Sequence, residues 1–333
     1  MTLIKTDSLT KHFPASSGLL SRLLSDEAVH AVDDVNLEIE KGKTLGLVGE
    51  SGCGKSTLGR TLLRLHEPTK GDIYFDGEKI SDLSQRQLRS YRREMQMVFQ
   101  DPQASLNPRQ TVGEMLRKPI EFHGIAEGED ADARVVELLE DVGLTPEHRN
   151  RYAHEFSGGQ QQRLGIARAL SVDPDFIVLD EPVSALDVSI QAKILDLIED
   201  LRQEYNLTLL FIAHDLNVVR HVCDEVAVMY LGEIIEQAPV AELFDDPRHP
   251  YTKGLLKSIL LPDIDSSEDL SKLPITGDVP SPINPPSGCR FRTRCSEAMP
   301  KCSETNPELY PRKKKEKTDE ELTPRTVSCH LYE

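Results

Sequence analysis

Gly49-Glu50-Ser51-Gly52-Cys53-Gly54-Lys55-Ser56, followed by Thr57, is the stretch on which the reading of the fold turns. Its spacing is G-x-x-x-x-G-K-S. The run Thr44 to Val48 before it is short and apolar, as a buried strand is. Leu58, Leu62 and Leu65 after it fall at helical spacing. A glycine-rich turn between strand and helix lets successive backbone N–H groups converge on phosphate oxygens, and the helix adds its positive end. Lys55 is placed to reach the outer phosphates as a point charge, Ser56 to ligate Mg²⁺, and Thr57 to donate to an inner phosphate. Cys53, inside the loop, reads as a tolerated variable position.

Working outward, Phe176 to Leu179 is a second apolar strand, and it ends in Asp180-Glu181. Asp180 stands where a carboxylate holds a Mg²⁺ shell, and Glu181 where one polarises an attacking water. Thr208 to Ala213 predicts a third such strand. Ile194, Leu195, Ile198 and Leu201 between them give one apolar helix face. Strand, helix, strand at this spacing implies a mainly parallel sheet. Val35, Leu37 and Ile39 alternate as a half-buried strand does. Asp72 to Phe75 closes on the turn pair Asp76-Gly77. Glu225–Met229 and Glu233–Gln237, joined at Leu231-Gly232, predict a hairpin. From about Ser84 to Phe156 the chain turns polar, charged and helical, which predicts an inserted helical subdomain.

Composition narrows the partners. The 333 residues carry 56 acidic against 39 basic side chains, a formal charge of -17. Such a surface repels phosphate backbones, so no nucleic acid is expected. The opening MTLIKTDSLT has no charged start followed by a long apolar run, and no stretch approaches the ~20 apolar residues of a membrane span. The expectation is a cytoplasmic protein whose membrane role needs a partner.

Phe156-Ser157-Gly158-Gly159-Gln160 resembles the LSGGQ signature of ATP-binding cassette (ABC) ATPases, with phenylalanine for the leading leucine. The other motifs follow in family order. Gln100, after Met97-Val98-Phe99, resembles the Q-loop glutamine. Ser184-Ala185-Leu186-Asp187 resembles the D-loop. His214 resembles the switch histidine, and Phe13 the aromatic that stacks on adenine. The resemblance spans about residues 3 to 245. Taken singly, Ser157-Gly158-Gly159 also reads as a helix-capping turn, His214 as a capping or core histidine, and Phe13 as core. The resemblance implies an α/β fold: a P-loop NTPase (RecA-like) core with ABC-type antiparallel β and helical subdomains. To this is added a proline-rich, cysteine-containing C-terminal extension. The implied domains are 1–245, with a helical subdomain at about 85–160, and 246–333. It implies two subunits sandwiching two ATP molecules, with Ser157, Gly158 and Gly159 of one chain closing on the triphosphate held by the other. Glu181 would be the general base and His214 the γ-phosphate contact. Gln100 would touch Mg²⁺ or the water, and Asp187 would set geometry across the pair.

Gln100-Asp101-Pro102 with Ser105-Leu106-Asn107-Pro108-Arg109 resembles the ATPases of oligopeptide and dipeptide importers. So do Leu58-Gly59-Arg60, Glu67-Pro68-Thr69-Lys70-Gly71 and the insertion Gly18-Leu19-Leu20-Ser21-Arg22 before Ala31-Val32-Asp33. Of that family's two paralogues, D-type and F-type, these features look F-type. The implied partners are a D-type ABC ATPase, two membrane permeases and an external substrate-binding protein, with this chain on the cytoplasmic face. Importers of nickel or sugar oligomers belong to the same family. A soluble ABC-type ATPase of DNA repair or translation, or a nucleotide-binding regulator without turnover, are readings of another class. The first of these usually carries two cassettes or long coiled-coil insertions, which this chain lacks.

Prolines fall at 262, 274, 280, 282, 285 and 286, suiting a surface-hugging linker. Then comes Cys289-x5-Cys295-x6-Cys302, with Cys329 after 26 more residues. Zinc is the default for four clustered cysteines, but these gaps are wider than the usual C-x2-4-C knuckle, and spacing alone decides little. Pro285-Pro286-Ser287-Gly288-Cys289-Arg290-Phe291 with Arg294-Cys295 resembles the tail of the peptide-importer ATPases. The resemblance implies a [4Fe–4S] cluster on the four cysteines, with Zn²⁺ the alternative. Cys223 reads as core, and the charge run Arg312 to Lys317 as a solvated loop.

Overall fold

The computed structural model describes residues 1–15, 27–260, 275, 277–311 and 325–333. The insertion at 18–22, Pro262, Pro274 and the charge run 312–317 lie outside them. The strands are β1 (Thr2–Pro14), β2 (Ala28–Glu40), β3 (Thr44–Val48), β4 (Lys70–Phe75), β5 (Glu78–Lys79), β6 (Met95–Val98), β7 (Phe176–Asp180), β8 (Thr208–Ala213), β9 (Glu225–Tyr230), β10 (Glu233–Pro239), β11 (Tyr310–Pro311) and β12 (Thr326–Val327). The helices are α1 (Lys55–Leu62), α2 (Leu88–Glu94), α3 (Pro102–Ser105), α4 (Val112–Phe122), α5 (Gly128–Asp141), α6 (Gly158–Leu170), α7 (Val188–Glu204), α8 (Leu216–Val222), α9 (Val240–Asp245), α10 (Pro250–Leu260) and α11 (Lys301–Glu304). The chain divides into two compact units.

The first unit comprises Met1–Leu3, Ile39–Thr44 and Asp82–Ala213. Its spine is β6, β7 and β8, paired parallel from Met95↔Phe176 to Val98↔Leu179 and from Phe176↔Thr208 to Asp180↔Ile212. Every residue of β7 and β8 is buried. That is why they read as unbroken apolar runs and not as alternation. Helix α7 buries Ile194, Leu197, Ile198 and Leu201. Leu195, expected on that face, is only half-buried, and Leu197 takes its place. The stretch from Ser84 to Phe156 is mostly helical, as expected, but β6 interrupts it. Helix α4 opens with a capping box, Thr111 against Glu114, and buries Val112, Met115, Leu116 and Ile120 at helical spacing. Helix α5 buries Ala131, Val135, Leu138 and Leu139 in the same way.

The second unit comprises Ile4–Glu38, Leu45–Ser81 and His214–Glu333. One sheet runs β2-β1-β4-β5. Thr6, buried on β1, ties it to β2 by donating to the Val35 carbonyl and accepting from the Leu37 N–H, both at 2.9 Å. In the other sheet β3 pairs parallel with β9, from Leu45↔Glu225 to Val48↔Val228. The antiparallel chain β9-β10-β12-β11 continues from it. The β9–β10 hairpin turns at Leu231 and Gly232 with φ of 43° and 88°. Both are left-handed, as a two-residue turn matched to strand twist requires. Helix α1 is shorter than expected: it ends at Leu62, and Leu65 is exposed. Arg64 takes a left-handed φ of 53° and buries its guanidinium, which donates to the Ile80 and Ser81 carbonyls and to Glu67. The helix stops there because that side chain must turn inward.

Candidate functional site

The phosphate-binding loop follows β3 and leads into α1, as its spacing required. Two of its glycines admit no substitute. A Cβ on Gly49 would lie 2.2 Å from the Met229 carbonyl oxygen, and one on Gly54 1.9 Å from that of Ala31. Gly54 is the N-cap of α1, so no capping side chain takes up the first-turn N–H groups, and no acidic residue stands in that turn. The helix therefore offers an N-terminus without a side-chain cap and a positive end, an anion site by construction. Lys55 is 5% exposed and donates to the Gly49 and Glu50 carbonyls at 2.7 and 3.1 Å, which lays its ammonium across the loop. Ser56 and Thr57 follow on the first turn. The Cys53 thiol is buried, and burial raises its pKa. It fills space beside Gly49, where a Cβ would lie 2.8 Å from the sulfur.

Neighbours in the second unit strap the loop from outside. The Glu50 N–H donates to the Tyr251 hydroxyl at 2.9 Å, and the Gly232 N–H donates to the Cys53 carbonyl at 2.9 Å. The Glu50 carboxylate grips Arg294 through two bonds, 2.7 and 3.0 Å. Phe13 is half-buried, edge-on to His66 at 5.3 Å, with the Lys11 ammonium 4.7 Å from its ring centre. It is thus not a core residue. His214 opens the third segment of this unit and is exposed, which removes the core-histidine reading.

In the first unit the acidic pair sits at the carboxyl ends of parallel strands, where α/β sheets bind ligands. Asp180 is fully buried at the end of β7. Glu181 has a left-handed φ of 47° and donates its N–H to the Ile212 carbonyl at 3.0 Å. A non-glycine residue held there costs about 1–2 kcal/mol, and such strain concentrates at functional positions. Its carboxylate accepts from Gln100 Nε2 at 2.9 Å. Gln100 and Glu181, 81 residues apart, thus meet side chain to side chain. Ser157 caps α6: its hydroxyl accepts from the Gln160 N–H, while the Gln160 side-chain Oε1 accepts from the Ser157 N–H. The capping reading is therefore realised, and it leaves Gly158 and Gly159 at a helix N-terminus. A Cβ on Gly159 would lie 2.7 Å from Ile190 of α7. Asp187, at the N-cap of α7, is exposed and makes no side-chain cap bond.

The four tail cysteines line one cavity, together with Phe291, Met299, His249 and His330. The Met299 N–H donates to the Cys302 sulfur at 3.5 Å, and the backbone at Phe291, Glu297 and Leu331 lies near Cys289, Cys295 and Cys329 and acts to lower their pKa. Burial, reinforced by the neighbouring sulfurs, pushes Cys289 up to about 12 and Cys329 to about 11. The Cys223 thiol is likewise raised by burial, and a Cβ on Gly46 would lie 3.0 Å from its sulfur. It packs against Gly46 but is only half-buried, short of the core position expected.

Comparison with known proteins decides between the readings. Residues 32–184 match the ABC transporter family model, and 235–302 match the model for the oligopeptide/dipeptide transporter C-terminal region. The oligopeptide transport ATP-binding protein AppF of Bacillus subtilis strain 168 is 50% identical over 99% of this chain and 98% of its own length. The chain belongs to the ABC-transporter ATP-binding subunits of the oligopeptide/dipeptide import family. Among solved structures, the cassette MJ0796, as a dimer in a post-hydrolysis state with ADP and Pi, matches with a TM-score of 0.64 and 32% identity. It covers 72% of this chain and 99% of that one. CbiO1 of Clostridium perfringens, part of the cbiONQ transporter complex, matches at 0.63 and 28%, over 78% and 97%.

As a member of this family the chain is an ATP-hydrolysing subunit that binds ATP and Mg²⁺ through its phosphate loop and acidic strand end. Membership also implies permease and substrate-binding partners. Among the described residues no helix is long and apolar enough to cross a membrane. The donor set of the tail cavity, four sulfurs with backbone N–H groups nearby, has the chemistry of a thiolate centre, because bonds from such groups favour the ionised form. Four clustered thiols, two of them buried and two half-buried, cannot all ionise without a compensating cation. Tetrahedral zinc would hold its sulfurs about 3.8 Å apart. Among the described residues, however, only His12, His30 and Asp33 bring three ligand-type atoms within 4.8 Å of one another.

That trio and two arginines escaped the sequence reading. His12 Nε2 and His30 Nδ1 face the Asp33 carboxylate at 3.1 and 2.8 Å, and Arg290 pairs with the same carboxylate. Burial would raise the Asp33 pKa, but the bonds from His30 and Arg290 outweigh it and hold it low. A guanidinium on that carboxylate opposes a second cation, so the trio acts as a polar tie of β1 and β2 to Arg290. Arg290 also pairs with Glu233 at 2.9 Å and donates to the Leu231 carbonyl. Arg294 holds Glu50. No local pattern could reveal either arginine, since their partners lie as far as 257 and 244 residues away.

Proposed function

We propose that this chain is the F-type ATPase of a peptide importer. It works on the cytoplasmic face of the membrane beside a D-type ATPase, two permeases and an external binding protein. Full-length similarity to an oligopeptide transport ATP-binding protein supports peptides as the cargo. The domains follow the family division, 1–245 for the cassette and 246–333 for a proline-rich, cysteine-bearing extension. The compact units cut the chain differently because the tail folds together with β3, β9 and β10.

The observation that carries the catalytic reading is the 2.9 Å contact of Gln100 with Glu181. Glu181 acts as general base on the attacking water, and Gln100 holds that carboxylate and reports on the permeases. Phosphoryl transfer asks mainly for orientation and charge neutralisation. Lys55, the loop N–H groups and Thr57 supply these on one face of the triphosphate, with Phe13 against the adenine. Ser56, Asp180 and Gln100 would hold the Mg²⁺, which would supply neutralisation of the phosphate oxygens. Ser157, Gly158, Gly159 and Gln160 of the partner ATPase close the other face, Asp187 sets the register across the pair, and His214 contacts the γ-phosphate. The test is Glu181→Gln in the assembled transporter. Turnover should fall about a hundredfold or more while MgATP binding persists. Unchanged turnover would remove Glu181 as the base.

The same reading gives Cys289, Cys295, Cys302 and Cys329 a [4Fe–4S] cluster, with Zn²⁺ the alternative. The shared cavity and the backbone N–H groups near its four sulfurs support a thiolate-bound centre here, and the resemblance of the tail to the peptide-importer ATPases favours the cluster over zinc. The cluster would staple a tail too short to build its own core. Iron and acid-labile sulfide, assayed after anaerobic purification, test this; zinc without iron overturns it.

A further inference from the structure

We propose that Arg294, carried on the cysteine loop, is a positioning residue for nucleotide binding: it clamps Glu50 and so holds the phosphate loop in its binding shape. Family motifs do not single out either residue for this role. Everything it rests on lies within the second unit.

Glu50 is the second residue of the loop and its most constrained point. Its carbonyl accepts from Lys55 at 3.1 Å and from the Cys53 N–H at 3.3 Å. Its N–H is spent on Tyr251. Its carboxylate receives both guanidinium nitrogens of Arg294. A paired fork fixes direction as well as distance, which a single bond to lysine does not. A rotation at Glu50 would therefore carry the Lys55 ammonium and the N–H groups that face phosphate.

Arg294 is built to hold that position. Its side chain is 7% exposed against 27% for Glu50. It lies 5.8 Å from the Tyr230 ring centre, and its Nε donates to the Gly277 carbonyl at 3.3 Å. Tyr230, Tyr251 and Phe291 pack ring on ring behind it, with centroids 4.8, 5.3 and 5.4 Å apart. Phe291 and Arg294 are both on the segment between Cys289 and Cys295. A tail whose role was only to stabilise itself would have no need to place a buried cation on the phosphate loop. The consequence is that nucleotide affinity depends on how the cysteine loop is held, whichever metal its sulfurs bind.

The test uses the full-length chain and a fluorescent ATP analogue with Mg²⁺, read as an equilibrium Kd beside a melting curve. Arg294→Ala and Glu50→Gln should each weaken binding about tenfold. The double variant should be no weaker than either single one, because both changes break the same clamp. Arg294→Lys should fall between Ala and wild type. Arg325→Ala is the control. Arg325 is buried in the same tail but pairs with Glu236 and the Asp246 carbonyl, away from the loop. That variant should melt earlier with Kd within twofold of wild type. Additive effects in the double variant, or an Arg294→Ala chain that melts early yet binds like wild type, would overturn the proposal. If Arg294→Ala does not fold, Glu50→Gln and Arg294→Lys decide, and unchanged affinity in both overturns it.

Discussion

The phosphate loop and the cysteine cavity are both lined by backbone N–H groups, but the two sets are made in different ways. In the loop, the donors come from close neighbours within residues 49–56, and left-handed glycines such as Gly52 and Gly54 let them converge on one anion. In the cavity the donors come from Phe291, Glu297, Met299 and Leu331, brought together by tertiary folding around four separate sulfurs. The loop is a property of its sequence, while the cavity is a property of the tail's whole path. A local site tolerates changes elsewhere and fails when its own residues change. An assembled site fails when any of its supports does.

The sharpest way to break this contrast is Lys55→Ala. It removes the charge that lies across the loop and touches nothing in the cavity. MgATP affinity should fall at least about a hundredfold and turnover should vanish, since one buried charge-assisted contact to phosphate is worth roughly 3 kcal/mol. The metal content of the tail, by elemental analysis, should not move. If metal were lost as well, the two regions would be one site.

Cys302→Ser probes the other side. Cys302 is buried, and its carbonyl accepts from the Cys289 N–H at 2.9 Å, so the main chain joins two of the proposed ligand positions. Metal content should drop to near zero, and the melting temperature should fall by roughly 5 °C, because a structural metal's binding energy is folding energy. Nucleotide affinity should weaken far less than in Lys55→Ala, by the small factor that loosening Arg294 allows. A variant that keeps its metal would remove Cys302 from the ligand set.

How much could be read beforehand follows the same division. Thr44–Val48 and Thr208–Ala213 were legible residue for residue, because a run buried on both faces leaves no alternation to misjudge. The hairpin turn was legible through Gly232, which takes a left-handed φ freely, while the left-handed φ of Leu231 had no signal in its residue type. Leu65 misled because helical spacing does not show where a neighbouring arginine must leave the helix. Ser157 was legible twice over: the geometry that caps α6 also presents Gly158 and Gly159 at its N-terminus. The left-handed turn at Glu181 had no signal in its residue type. Neither did the pairs that tie the tail to the body, Arg290 with Asp33 and Arg294 with Glu50. Separations above 240 residues carry no periodicity, and a lone arginine beside a cysteine looks like any exposed cation.

The smallest expected effect is one of pH. His249 lines the cysteine cavity, and its Nδ1 accepts from the Tyr251 N–H at 3.1 Å. Burial, aided by the charge of Lys253, lowers its pKa to about 3. The folded chain therefore keeps it neutral where an unfolded chain would protonate it. Below the ordinary histidine value near 6.5 the unfolded state binds a proton that the folded state refuses. The stability that His249 contributes is thus complete above about pH 6.5 and drains away as pH falls toward 3. Between pH 7.5 and 5.5 the loss is roughly 1 kcal/mol, a degree or two in melting temperature. His249→Asn keeps an acceptor for the Tyr251 N–H and removes the titration. Its melting temperature should start lower, because ring packing against Phe291 is lost, yet decline less between those two pH values than that of the wild type. Every carboxylate that titrates in the window is common to both chains and cancels. Equal declines would show that the imidazole gains its proton without cost, and would make the cavity wall as open to water as the mouth of the phosphate loop.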